Sequence, residues 1–227
     1  MSTEKKSLAS RLKTGSLVQA WLVLLLALGF GVSLAGVQLA LGPVIEANKL
    51  NETLEKVPLL VLGQEQFAKL TAQNQVLDIE PRQVAVKTGD RTKYYPVYAA
   101  WYQDELRGWV IKAKGQGYAD TVELLVGLSA DMERITGMFV LEQKETPGLG
   151  NKIITESWRS QFIDMPTGSP LVAVKTGASK PGEIDAVTGA TISSQSVATM
   201  INSAIGDLRG PLTDTPAPEL KKGNDNG

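Results

Sequence analysis

Asp185-Ala186-Val187-Thr188-Gly189-Ala190-Thr191-Ile192-Ser193-Ser194 is a run of small residues that passes straight into an amphipathic pattern. Apolar residues recur behind it at Val197, Met200, Ile201, Ala204, Ile205 and Leu208, the three-and-four spacing of one buried helical face. That spacing predicts a helix, with Thr191 at or just before its N-terminus. Backbone N–H groups lack partners there and the helix dipole is positive, so an anion is favoured. Gly189 and Ala190 let a phosphate approach the backbone closely. The simpler use of the same residues is capping, since Thr191, Ser193 and Ser194 each carry a suitable hydroxyl.

The chain around this stretch has 227 residues, one ordinary domain with appendages. A net charge of −1 gives no basic surface for nucleic acid. The absence of Cys and His removes iron–sulfur, haem and copper ligand sets and Cys- or His-based catalysis. No acid–base or metal-ligating constellation stands out, so any electron chemistry falls to an organic cofactor. Residues 1–16 are polar and basic, with Lys5, Lys6, Arg11 and Lys13 against Glu4. Leu17 to Leu41 carries no charge, and at about 1.5 Å per residue it can span a hydrocarbon core of about 30 Å. Trp21 suits the interface, and Gly42-Pro43 is expected to stop the run. Residues 17–42 therefore read as a transmembrane helix, with the basic flank cytoplasmic and the rest extracytoplasmic. A cleavable signal peptide is the competing reading, with Ser33-Leu34-Ala35 as a small-x-small site. The apolar run continues through Val37, Leu39 and Leu41, which favours an uncleaved anchor.

Residues 43–82 read as a juxtamembrane helical region: Val44 to Lys56, ended by Pro58, then a weaker helix from Gln64 to Leu77. From Gln83 the period changes. Short runs rich in Val, Ile and aromatics cover 83–87, 95–102, 106–113, 122–128 and 135–142, separated by turn residues. They predict an antiparallel sheet. A helix at 156–162 and a strand at 171–175 follow. Val86-Lys87-Thr88-Gly89 recurs as Val174-Lys175-Thr176-Gly177, two similar strand endings. The fold class is α+β, with the domain proper over 83–210. Residues 211–227, rich in Pro, Gly, Asp, Asn and Lys, read as a disordered tail.

Three stretches in order carry a resemblance. Gly115-Gln116-Gly117-Tyr118, Glu145-Thr146-Pro147-Gly148-Leu149-Gly150-Asn151-Lys152, and Asp185 to Thr191 resemble the loops and flavinylation motif of the FMN-binding domain family. That family occurs in the G and D subunits of the Rnf electron-transport complex and in the B and C subunits of the sodium-pumping NADH:quinone reductase. The single anchor and modest length resemble the Rnf G subunit most, with the C subunit of the quinone reductase as the alternative. The resemblance implies FMN esterified through its phosphate to Thr191 by a flavin transferase, with Asp185 part of the signal that enzyme reads. It implies partners among the membrane subunits of an Rnf-type complex, which couples ferredoxin:NAD oxidoreduction to Na⁺ or H⁺ movement. Membrane lipid would surround the anchor.

The expected cofactor residues are Thr191, Thr188, Gly189, Ala190, Asp185 and Ser193, with Gly117, Tyr118, Glu145, Thr146, Gly148, Leu149, Gly150 and Lys152 from the loops. Gly148 and Gly150 clear space for amides against the ring edge, Leu149 and Tyr118 offer packing surface, and Asp185 is expected to shape its turn by binding backbone amides. Lys152 either stabilises a reduced flavin or is a solvated surface lysine. Rival classes are a non-redox extracytoplasmic ligand-binding or sensor domain, where Thr191 is only a cap, and an assembly scaffold with a degenerate site.

Overall fold

The computed structural model describes residues 5–213, with side chains from residue 18 on. The chain divides into two compact units, Met1–Leu50 and Asn51–Gly227. Helix α1 (Lys5–Ala72) begins in the first and ends in the second. Among the described residues it is the one helix long and apolar enough to cross a membrane. Its side chains from Val18 to Leu41 are exposed in the isolated chain, as a lipid-facing surface requires.

The prolines expected to end helices do not end α1: the helix runs through Pro43 and Pro58. A proline removes one N–H and crowds the preceding turn, which a helix can absorb. The interruption falls at Gly63, with φ 73° and ψ 168°, a conformation that glycine adopts without strain. Just before the break, the Thr136 hydroxyl donates to the carbonyl of Leu60 at 2.6 Å.

In the second unit, five strands follow in simple meander order: β1 (Asp78–Thr88), β2 (Arg91–Tyr102), β3 (Glu105–Gln116), β4 (Thr121–Ser129) and β5 (Ile135–Glu142). All four pairings are antiparallel, as expected from the short strands and tight turns. The sheet starts five residues earlier than Gln83. Pro81 lies in that early part opposite Tyr98, tolerated because β1 is an edge strand.

The inner strand β4 is buried almost throughout, since both sheet faces are covered. Val57, Leu60 and Val61 of α1 pack with Tyr98, Ala100, Val110 and Leu125 on one face. On the other, Val197, Ile201, Ala204 and Leu208 of helix α3 (Thr191–Thr213) join Val97, Ile111, Leu124 and Val126. Burial of each such side chain contributes about 1.5–3 kcal/mol. At its far end α3 is tied to β2, where Tyr95 Oη and Lys93 Nζ both donate to Asp207 Oδ2, at 2.7 and 2.9 Å. The Lys93 bond, then that of Tyr95, holds the Asp207 carboxyl below its ordinary pKa.

Between β5 and α3 come a 3₁₀ turn (Gly150–Ile154), the short helix α2 (Glu156–Arg159) with a further 3₁₀ turn, and strands β6 (Val172–Val174) and β7 (Glu183–Asp185). β6 and β7 pair in parallel, a pairing with no counterpart among the sequence-based expectations. The two Val-Lys-Thr-Gly segments end differently: the first turns an antiparallel hairpin, the second leaves β6 for a loop. α3 continues through Pro211 to Thr213, so the first three residues of the expected tail are helical; residues 214–227 lie outside the described residues.

Candidate functional site

Thr191 is the first residue of α3, part-exposed. The residue before it, Ala190, has no side-chain oxygen and cannot cap the helix as Ser, Thr or Asp would. Its amide donates to Val187 O at 2.8 Å, closing a turn in which Gly189 takes φ 80°. The Ser194 amide reaches back to Ala190 O. Among the described residues the amides of Thr191, Ile192 and Ser193 have no protein acceptor, and neither has the Thr191 hydroxyl a hydrogen-bond partner. A helix of 23 residues thus ends in an open set of donors beside a free hydroxyl.

The expected caps are used otherwise. Ser194, fully buried, accepts the Val187 amide at 3.0 Å and donates to Ala190 O, fixing the turn from within. Ser193, 1% exposed, donates its hydroxyl to Glu145 Oε2 at 2.8 Å. Glu145, itself 4% exposed, uses Oε1 to accept the amides of Tyr118 at 2.8 Å and Ala119 at 3.2 Å. One buried carboxylate therefore joins the loop after β3, the loop after β5 and the first turn of α3. A Cβ at Gly117 would collide with Glu145 Oε1, and one at Gly150 would lie 2.7 Å from Oε2 and 3.0 Å from Ser193 Oγ. The two glycines are the space in which the carboxylate sits.

The 145–150 loop reaches the turn before α3 a second time: a Cβ on Gly189 would meet Leu149 Cδ2 at 2.8 Å. Gly148, at φ 77°, donates its amide to Asn151 Oδ1 at 2.8 Å. The Thr146 carbonyl accepts the amides of Leu149 and Asn151. Leu149, Tyr118 and Ile192 remain 44%, 63% and 54% exposed, an apolar rim beside Thr191's neighbours in the chain. Thr146, Thr188 and Lys152 are exposed. In the loop after β3, Gly117 donates to Asp120 O, and the Thr121 amide holds the Asp120 carboxyl below its ordinary pKa.

Asp185 departs from its expected role. Its Oδ1 accepts the Ala178 amide at 3.0 Å, on the loop after β6, and not an amide of the 187–190 turn. Its backbone is gripped instead: the amide donates to Gln161 Oε1, and the carbonyl accepts Trp158 Nε1 at 2.8 Å. Trp158 is buried edge-on against Phe162, so α2 and its 3₁₀ turn anchor the strand that delivers the turn to α3. Short β7 and a tryptophan 27 residues upstream left no periodic trace by which this support could be read from the sequence.

The structure thus brings Gly117, Tyr118, Glu145, Leu149, Gly150, Gly189, Ala190, Thr191 and Ser193 into one neighbourhood. An open helix N-terminus, a part-exposed hydroxyl and an apolar rim suit a ligand with one phosphate and a flat apolar ring.

Residues 117–206 match the FMN-binding domain family. Over 98 residues the chain is 40% identical to the G subunit of the ion-translocating oxidoreductase complex of Methanosarcina acetivorans, covering 43% of this chain and 50% of the relative. Over 142 residues it is 32% identical to the G subunit of the proton-translocating ferredoxin:NAD(+) oxidoreductase complex of Clostridium ljungdahlii, covering 60% of this chain and 75% of that protein. The match thus spans half the length of the first relative and three quarters of the second. The crystal structure of Shewanella oneidensis NqrC superposes with a TM-score of 0.60 at 19% identity, over 74% of this chain and all of that one, a likeness of fold.

Proposed function

Because the chain belongs to the FMN-binding domain family, we propose that it carries FMN esterified through its phosphate to Thr191 and relays electrons as the G subunit of an Rnf-type, ion-translocating ferredoxin:NAD oxidoreductase complex. The observation that carries this reading is the uncapped N-terminus of α3 beside a part-exposed, unbonded threonine hydroxyl. Three free amides and the positive end of the dipole offset the charge that a phosphodiester keeps. Gly189 and Ala190 put only small residues in the turn that leads to those amides.

Bound FMN supplies a ring that takes up and gives up electrons, chemistry that no side chain of this protein offers. The residues bind and orient. Leu149 and Tyr118 offer apolar surface to the ring, with Thr146, Gly148 and Lys152 at its polar edge, while Gly150 makes room for Glu145; Thr188 lies on the exposed side of the attachment turn. Asp185 acts earlier, in recognition by the flavin transferase. A covalent tether prevents loss of the cofactor on the outer side of the membrane. That orientation rests on the basic flank of Lys5, Lys6, Arg11 and Lys13, which stays cytoplasmic. Lipid contacts the span, and the other membrane subunits of the complex are the electron partners; the chain has no substrate turnover of its own. The Rnf G subunit is preferred to its quinone reductase counterpart because the higher sequence identity lies with the Rnf-type relatives.

The test is to denature the purified chain, matured in the presence of the transferase, and follow flavin absorbance and fluorescence on the polypeptide. Flavin should stay with the wild type and be absent from Thr191→Ala. Flavin retained by the variant would reject the attachment site.

A further inference from the structure

Glu145 lies in a loop where a surface carboxylate would be ordinary, yet it is 4% exposed and has no cation as a partner among the described residues: two amides and one hydroxyl occupy its two oxygens. Two of those donors come from the loop after β3 and the third from the first turn of α3. Ser193, the donor from α3, is two residues from Thr191, on the opposite side of the same helical turn. Gly117 and Gly150 give up their side chains to make room for the carboxylate. Without it, the first turn of α3 keeps its packing through Val197 and Ser194 but loses its tie to the loops that carry Tyr118 and Leu149.

We propose that Glu145 is the positioning residue for flavin attachment: it touches neither flavin nor phosphate, and it sets the Thr191 hydroxyl and the α3 amides in register with the 117–119 and 145–150 loops. The inference rests on Thr191 being the attachment point. In the step concerned, Thr191 Oγ forms a bond to the phosphorus of a flavin donor activated as a phosphoanhydride. The anhydride bond breaks, the nucleotide leaves with its electron pair, and the hydroxyl proton goes to the transferase or solvent. A hydroxyl displaced by about 1 Å loses on the order of 100-fold in a positioned reaction of this kind.

The chemistry of the hub separates positioning from charge. In Glu145→Gln the amide oxygen still accepts from Tyr118 and Ala119, and its NH₂ donates to Ser193 Oγ, a hydroxyl able to accept as well as donate. In Glu145→Ala all three ties are lost, and in Ser193→Ala only the tie to α3.

The experiment uses the full-length chain in detergent, flavin adenine dinucleotide as donor and the flavin transferase, with intact mass read against time and folding monitored by near-UV circular dichroism. The expected order of attachment rates is wild type within about threefold of Glu145→Gln, then Ser193→Ala, then Glu145→Ala slower by about 100-fold. A merely structural role would lower the melting temperature and leave folded Glu145→Ala modified at the wild-type rate; that result overturns the inference. So does a folded Glu145→Gln as slow as the alanine variant, because the charge and not the geometry would then matter. If Glu145→Ala does not fold, Ser193→Ala decides: slower attachment supports the inference and an unchanged rate rejects it. A wild-type chain that takes up no flavin removes the Thr191 reading and this inference together, whereas a labelled wild type beside an equally labelled Glu145→Ala removes this inference alone.

Discussion

On the inner side of the first turn of α3, Ser193 is buried and its hydroxyl meets a carboxylate whose other oxygen accepts two amides. On the outer side, two residues away, Thr191 is part-exposed, its hydroxyl unbonded and its amide without an acceptor. A buried polar group left unpaired costs about 1–3 kcal/mol, so the inner side has to be complete for the domain to be stable. An exposed helix end is solvated at little cost, so the outer side can be left open to a ligand. Stability and cofactor binding are thereby divided between the two faces of one turn. Substitutions on the inner face should cost stability and slow attachment through lost positioning, whereas those on the outer face should remove attachment and leave stability unchanged.

The largest expected effect tests the inner face. Glu145→Ala strands two amides and a hydroxyl and should cost about 3 kcal/mol in urea unfolding; a loss below about 0.5 kcal/mol would mean that water replaces the carboxylate freely. Gly150→Ala places a Cβ 2.7 Å from Glu145 Oε2. Overpacking of that kind should cost about 2 kcal/mol in the same assay. At the border of the two faces, Gly189→Ala meets both a φ of 80° and Leu149 Cδ2, and about 1–2 kcal/mol is expected.

A smaller effect comes from the other end of α3. The Asp207 carboxyl titrates below its ordinary value because Lys93 and Tyr95 donate to it. A lowered folded-state pKa contributes stability that is present above the unfolded value of about 3.9 and is lost as pH falls through the folded value. Asp207→Asn should therefore flatten the acid limb of the melting-temperature profile, by less than about 1 kcal/mol since the pair is partly solvated. An acid limb unchanged in the variant would place that sensitivity elsewhere. Smallest for stability is Thr191→Ala, expected within about 0.5 kcal/mol of wild type.

The same division explains what could be read in the sequence. The meander announced itself through short β-branched and aromatic runs with turn residues between them, and α3 through the spacing from Val197 to Leu208. Thr191 was legible as a helix start from the small residues before an amphipathic pattern, and as an attachment point only through the resemblance of the whole Asp185-to-Thr191 string. β7 did not, since Glu183-Ile184-Asp185 has a single apolar residue and its pairing is fixed by tertiary contacts with β6. Pro43 and Pro58 misled because proline disfavours a helix without forbidding it, whereas Gly63 marks the real break. Glu145 is legible in the sequence as a cofactor residue of the Glu-Thr-Pro-Gly-Leu-Gly loop, whereas its place as a buried hub between loops is not. Its burial depends on donors 26 to 48 residues away in sequence, and the one trace it leaves is the pair of glycines that make room for it.

The most direct test is the intact mass of the full-length chain, matured with its flavin transferase, followed by mapping of the peptide that spans residue 191. The account predicts one FMN residue per chain, joined through phosphate to Thr191 and missing from Thr191→Ala. A bare Thr191 in mature, assembled material would contradict it.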